Sequence, residues 1–177
     1  RNGVFYVRVN GSEMWNVKTG STVYRNVKYY LSDPWYASAG NVAKFGTFKV
    51  VSGGDTNIPG DDGTRQIQKN KLVQTIDTWG PDFNIKFDMR IVKVPNGGHN
   101  ILHYTTGGNE NSIPALWLNS HKGRPNLHIV MGKHKKLVTL ELNKDYTINL
   151  IQRNGVFYVR VNGSEMWNVK TGSTVYR

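Results

Sequence analysis

Phe83-Asn84-Ile85-Lys86-Phe87-Asp88-Met89-Arg90-Ile91 decides the class of fold. Phe83, Ile85, Phe87, Met89 and Ile91 take every second position, and Asn84, Lys86, Asp88 and Arg90 fill the gaps. Successive side chains of a strand point to opposite faces, so the stretch is a strand with one dry face and one wet face. Downstream, Pro95-Asn96-Gly97-Gly98 turns the chain and residues 100–106 pair back. Residues 107–111 read as a loop, and residues 115–119, 126–131 and 137–142 as further strands. Upstream, residues 66–75 lead into the alternating stretch, residues 44–51 read as one strand, and residues 26–31 as another with Val27, Tyr29 and Leu31 inward. Ser32-Asp33-Pro34-Trp35-Tyr36 closes that strand, because proline cannot donate to a ladder. No run of ten residues is helical in pattern. Many short strands with turn signals between them predict an all-β chain, a sandwich of two antiparallel sheets.

The outermost residues carry the second clue. Residues 1–25, RNGVFYVRVNGSEMWNVKTGSTVYR, recur without a substitution as residues 153–177, an offset of 152. Phe5, Val7 and Val9 share one face of a strand that starts at Val4, as do Phe157, Val159 and Val161 after Val156. Residues 146–152 alternate too, and Asn154-Gly155 follows. Asn-Gly between two alternating runs is the strongest short hairpin signal, since both residues tolerate the positive φ of a type I′ turn. Asn10-Gly11 and Asn162-Gly163 mark the next turn. In the first copy, Asn2-Gly3 is the same turn without its leading strand, which must come from residues 146–152 or from another molecule. Two copies therefore compete for one place in the fold.

One period of 152 residues is the size of an ordinary domain. Residues 52–69, dense in Gly, Asp and Pro, read as a linker between modules. Residues 1–51 are then the C-terminal third of one module and residues 70–177 the first two-thirds of the next, a circular permutation relative to the native module boundary. The chain has 23 basic and 12 acidic residues, net +11; the duplicated stretch supplies four and one of these, so one period is +8. A basic surface suits an acidic glycan or partner, and nucleic acid is not expected, because the basic residues are scattered singly. Lys133-His134-Lys135-Lys136 is the exception and reads as a solvated turn. There is no cysteine, which removes disulfide scaffolds and thiol chemistry. No stretch is long and apolar enough to span a membrane as a helix.

The strand after Trp79-Gly80-Pro81, Ile101-Leu102-His103-Tyr104-Thr105-Thr106-Gly107-Gly108, Ile113-Pro114-Ala115-Leu116-Trp117-Leu118 and Leu127-His128-Ile129 together resemble modules of the concanavalin A-like/laminin G-like jelly-roll class of animal extracellular proteins. So do Val159-Arg160-Val161-Asn162-Gly163 and Asn26-Val27-Lys28-Tyr29-Tyr30-Leu31-Ser32-Asp33-Pro34-Trp35-Tyr36. The resemblance covers nearly the whole period and implies a secreted location. It does not choose among lectins, adhesion modules and structural repeats.

Site candidates are few. Trp35 and Tyr36 are candidate glycan-stacking residues, or else a plug over one end of the sandwich. Asn10 and Asn162 precede Gly-Ser and fit the glycosylation pattern. His99, His103, His121, His128 and His134 would form a metal site only if three converged. Asp55, Asp61 and Asp62 do not match the spacing of a calcium loop. No paired carboxylates, no Gly-x-Ser-x-Gly and no phosphate loop occur, so no catalytic residue, cofactor or metal is assigned and no enzyme is expected. The expectation is a structural extracellular repeat protein whose modules assemble into filaments with copies of themselves. Its assembly strands are Val4, Phe5, Val7 and Val9 in one copy and Val156, Phe157, Val159 and Val161 in the other. A carbohydrate-binding module and an engineered permutant with a duplicated end are the alternatives.

Overall fold

In the computed structural model, the structure describes the backbone of residues 4–9, 12–18, 23–46, 48–52 and 67–171, with side chains over 23–46, 48–51 and 67–171. The strands in chain order are β1 (Val4–Val9), β2 (Ser12–Lys18), β3 (Tyr24–Tyr30), β4 (Ala37–Ser38), β5 (Ala43–Phe45), β6 (Lys49–Ser52), β7 (Leu72–Trp79) and β8 (Phe83–Ile91). There follow β9 (His99–Thr105), β10 (Ser112–His121), β11 (Arg124–Met131), β12 (His134–Thr139), β13 (Asp145–Arg153), β14 (Val156–Val161) and β15 (Ser164–Lys170). Among the described residues the only helical turn is the short 3₁₀ segment Ala39–Asn41.

Two antiparallel sheets pack as a sandwich. One runs β12-β11-β10-β9-β3-β7, with β4 alongside β9; the other runs β15-β14-β13-β8-β5, with β6 also on β8. The strand that decides the class behaves as its pattern requires: Phe83, Ile85, Phe87, Met89 and Ile91 are buried and the residues between them exposed. They meet Leu116, Leu118, Leu127 and Ile129 of the facing sheet in one core. Burying each such side chain contributes about 1.5–3 kcal/mol. Aromatic rings continue the core towards one end, with Tyr29 on Tyr104 at 4.3 Å, Tyr104 on Trp79 at 4.5 Å and Trp79 on Phe83 at 4.9 Å between centroids. Strands from both sides of residues 52–69 share this core, Val27, Tyr29, Phe48 and Val50 lying with Ile85 and Phe87.

Two expectations are corrected. The strand expected at 44–51 is two, β5 and β6, both on β8, and the register advances by one residue between Phe45↔Met89 and Lys49↔Lys86. That is a bulge, which brings Phe48 and Val50 inward where Ala43 would otherwise set the phase. Ahead of β8, β7 starts at Leu72; it is an edge strand burying only Ile76 and Trp79, so its apolar signal is weak. The basic run 133–136 is a turn only at Gly132-Lys133, and His134 opens β12. Lysines there sit on an exposed sheet edge, where they discourage pairing with another chain.

Candidate functional site

The two copies of the repeat form hairpins of identical register. In the second copy, β14 pairs with β13 through Arg153↔Val156 to Ile148↔Val161, and with β15 through Val156↔Lys170 to Val161↔Ser164. Asn154 and Gly155 have φ of 51° and 72°, Asn162 and Gly163 of 51° and 83°. Positive φ at both central residues makes each a type I′ turn, whose twist matches that of the flanking strands. Phe157, Val159 and Val161 are buried in the core, and Trp167 meets Phe157 edge-on at 5.8 Å.

The first copy pairs Val4↔Lys18, Val7↔Trp15, Arg8↔Glu13 and Val9↔Ser12 and carries its bulge between Val7 and Arg8, as the second does between Val159 and Arg160. Among the described residues, β1 and β2 pair with each other and with no other strand. The place beside β13 belongs to the second copy. The side chains of Val4, Phe5, Val7 and Val9, the turns at Asn2-Gly3 and Asn10-Gly11, and residues Asp55, Asp61 and Asp62 lie outside the described residues.

A second feature lies on the outer face of the other sheet. Between β3 and β4 the chain leaves the edge of β9 and returns to it, since β3 pairs with His103–Thr105 and β4 with His99 and Asn100. This excursion, Leu31 to Tyr36, folds over the sheet, and Asp33 pins it. Asp33 is fully buried; its Oδ1 accepts the Trp35 and Tyr36 backbone N–H groups at 3.1 and 2.9 Å, and its own N–H donates to Asn100 Oδ1 at 2.9 Å. Its Oδ2 lies 3.0 Å from His103 Nδ1, and His103 Nε2 lies 3.1 Å from Ser112 Oγ. A carboxylate accepts, so Nδ1 is assigned the proton, and in the neutral ring Nε2 accepts a hydrogen bond from the Ser112 hydroxyl. The connectivity is that of a nucleophile triad, but Ser112 sits in a strand ladder with 2% of its surface exposed and His103 is sealed between Trp35 and Trp117, at 5.5 and 5.6 Å. The network first of all fastens the excursion to the sheet.

Beside it opens a cleft of about 720 Å³, lined by Tyr36, Asn109, Glu110, Ser112, Trp117 and His128 among others. Ser112 reaches this face because β10 has a bulge: the pairs Ser112↔Thr105 and Ala115↔His103 differ by one residue in register. Ile113 therefore points into the core while Ala115 and Trp117 point out. Tyr36 meets Trp117 edge-on at 5.6 Å and its hydroxyl accepts from Asn109 Nδ2 at 3.1 Å. His128 is half-buried; burial first, and then the Lys135 ammonium, hold its pKa below the ordinary 6.5. The Asn119 amide donates to its Nδ1 at 3.4 Å.

Trp35 and Tyr36 thus part company: Trp35 covers His103 with 42% of its surface exposed, and Tyr36 forms a cleft wall. Asn162 is exposed at its turn, its Oδ1 accepting from the Thr147 N–H at 2.8 Å. Among the described residues no three of His, Asp or Glu converge as metal ligands, and no helix is long and apolar enough to cross a membrane. The sequence reading singled out His103, Trp117 and His128 separately but missed Asp33, Asn109 and Ser112 and the cluster itself, which draws on elements far apart in the chain. The one hint was the broken alternation around Ile113-Pro114. No family model, curated protein or solved structure matches this chain.

Proposed function

We propose that the chain is a repeat unit of a secreted structural protein, in which the hairpin closing each 152-residue period is the element of assembly. The reading is carried by one observation: two hairpins of identical sequence, register and bulge, with one in the six-stranded sheet and the other, among the described residues, paired to itself alone. A neighbour's first copy offers the edge of β13 the same backbone hydrogen bonds and the same apolar face that β14 offers. Exchange leaves the number of docked hairpins unchanged, so it resembles domain swapping, a low-cost route to association. Because donor and acceptor surfaces differ, each chain can give one hairpin and receive another. That contact does not close on itself, and its product is a fibre.

The absence of cysteine allows a clean test. Asn149 lies opposite Arg160, whose counterpart in the first copy is Arg8. With Asn149→Cys and Arg8→Cys in one chain, oxidation at high concentration is expected to give a ladder of disulfide-linked oligomers. Monomer without a cross-link rejects first-copy docking, and monomer with an internal cross-link rejects assembly in favour of exchange within one chain.

A further inference from the structure

Three Asn-Gly pairs lie among the described residues, and the structure holds them differently. Asn96-Gly97 follows Pro95, Asn154-Gly155 joins β13 to β14, and Asn162-Gly163 joins β14 to β15. Such a pair carries its own chemistry, because glycine has no side chain to shield its backbone nitrogen. That nitrogen can attack the asparagine Cγ. A bond forms between the glycine nitrogen and Cγ, the Cγ–Nδ2 bond breaks, and Nδ2 departs as ammonia with the proton the glycine nitrogen gives up. The cyclic imide left behind takes up water at either carbonyl and opens to aspartate or to isoaspartate.

The reaction starts only when Cγ swings round to the next nitrogen, so a hydrogen bond to the side chain opposes it. Asn162 Oδ1 accepts from the Thr147 N–H at 2.8 Å, which ties that amide to β13. Asn154 has the same φ of 51° in the same type of turn and is exposed. Its side chain makes no hydrogen bond among the described residues; only its backbone N–H is engaged, donating to Asp82 Oδ1 at 3.1 Å. One amide of the docked hairpin is tied and the other is loose.

The product at residue 154 bears on the fold. A new carboxylate there stands beside the Asp82 carboxylate, and like charges repel. Isoaspartate also lengthens the main chain within the two-residue turn that sets the pair Arg153↔Val156, and in a hairpin the turn fixes the register.

We propose that Asn154 is a self-modifying site, converted to aspartate and isoaspartate by the Gly155 nitrogen, and that this conversion loosens β14 from β13. The inference concerns the docked copy alone and does not depend on exchange between chains.

The test incubates the whole 177-residue chain in mildly alkaline buffer at body temperature. Cleavage after acidic residues yields a peptide of residues 146–165, which contains both asparagines and has no counterpart in the first copy. Fragment masses place the exchange of NH₂ for OH. Asn154 is expected to convert about fivefold faster than Asn162, the worth of one ordinary hydrogen bond, with the exposed Asn96 as the control that the conditions drive the reaction. Hydrogen exchange by NMR then follows the amides of residues 156–161. Their protection is expected to fall as Asn154 converts and to hold in Asn154→Gly, since Gly-Gly keeps the type I′ turn and carries no amide to lose. Asn154→Asp supplies the charge without incubation and is expected to lower the same protection. The proposal is overturned if Asn154 stays unchanged while Asn96 converts, if Asn162 keeps pace with Asn154, or if β14 is as protected in the converted chain as in the fresh one.

Discussion

Asp33 fastens the Leu31–Tyr36 excursion to the sheet. Removing its carboxylate leaves two backbone N–H groups and the His103 Nδ1–H without acceptors in a buried site. A buried donor left without an acceptor costs about 1–3 kcal/mol, and Asp33→Ala is expected to lose at least that much by urea denaturation. A loss below about 1 kcal/mol, the worth of an ordinary surface pair, would show that the excursion is held by its aromatic contacts instead. His128 gives a residue-scale prediction in pH. Its folded pKa lies below 6.5, so the unfolded chain takes up a proton first as pH falls. Its contribution to stability is complete above 6.5 and is lost as pH drops through the folded value. Lys135→Gln is expected to move the NMR titration midpoint of His128 part of the way back up, because burial, the larger cause, remains; an unmoved midpoint would discount the ammonium.

At the scale of the element, the hairpins make a prediction that a single-copy protein would not. Phe157 is fully buried, and truncating such a phenylalanine to alanine usually costs about 3–5 kcal/mol. Phe5 stands at the same place in an intact second claimant. Phe157→Ala alone is therefore expected to cost clearly less than Phe5→Ala and Phe157→Ala together, with Phe5→Ala alone nearly silent. Equal denaturation midpoints for Phe157→Ala and the double variant would mean that the first copy never docks. Elements were legible where period and turn chemistry agreed. The alternation of β8 and the Asn-Gly turns beside β14 could be read directly, since both are properties of a few adjacent residues. The division of β5 from β6 and the bulge in β10 were not read, because one inserted residue reverses which side chains face inward. The phase change from Ala43 to Phe48 and Val50 is visible in the sequence only once the partner strand is known.

At the scale of the whole molecule, assembly and fold should separate. A chain lacking residues 1–22 retains every strand of both sheets. It is expected to keep the parent's melting temperature while sedimenting as a monomer at concentrations where the parent associates. Self-association that survives the deletion would place the contact elsewhere, at the free edges of β12 or β15 for example.

By itself the sequence determined that the chain is all-β, which faces of its clearest strands are dry, and that two interchangeable hairpins exist. Those properties rest on a two-residue period and on φ preferences that act within a single turn. Which hairpin lies beside β13 was decided by tertiary structure alone, because identical sequences have identical local preferences and differ only in what the chain attaches to them. The cleft was decided there too. Asp33 and His103 stand 70 residues apart, and the register that brings them together with Ser112 and Trp117 depends on bulges whose partners are supplied by other strands.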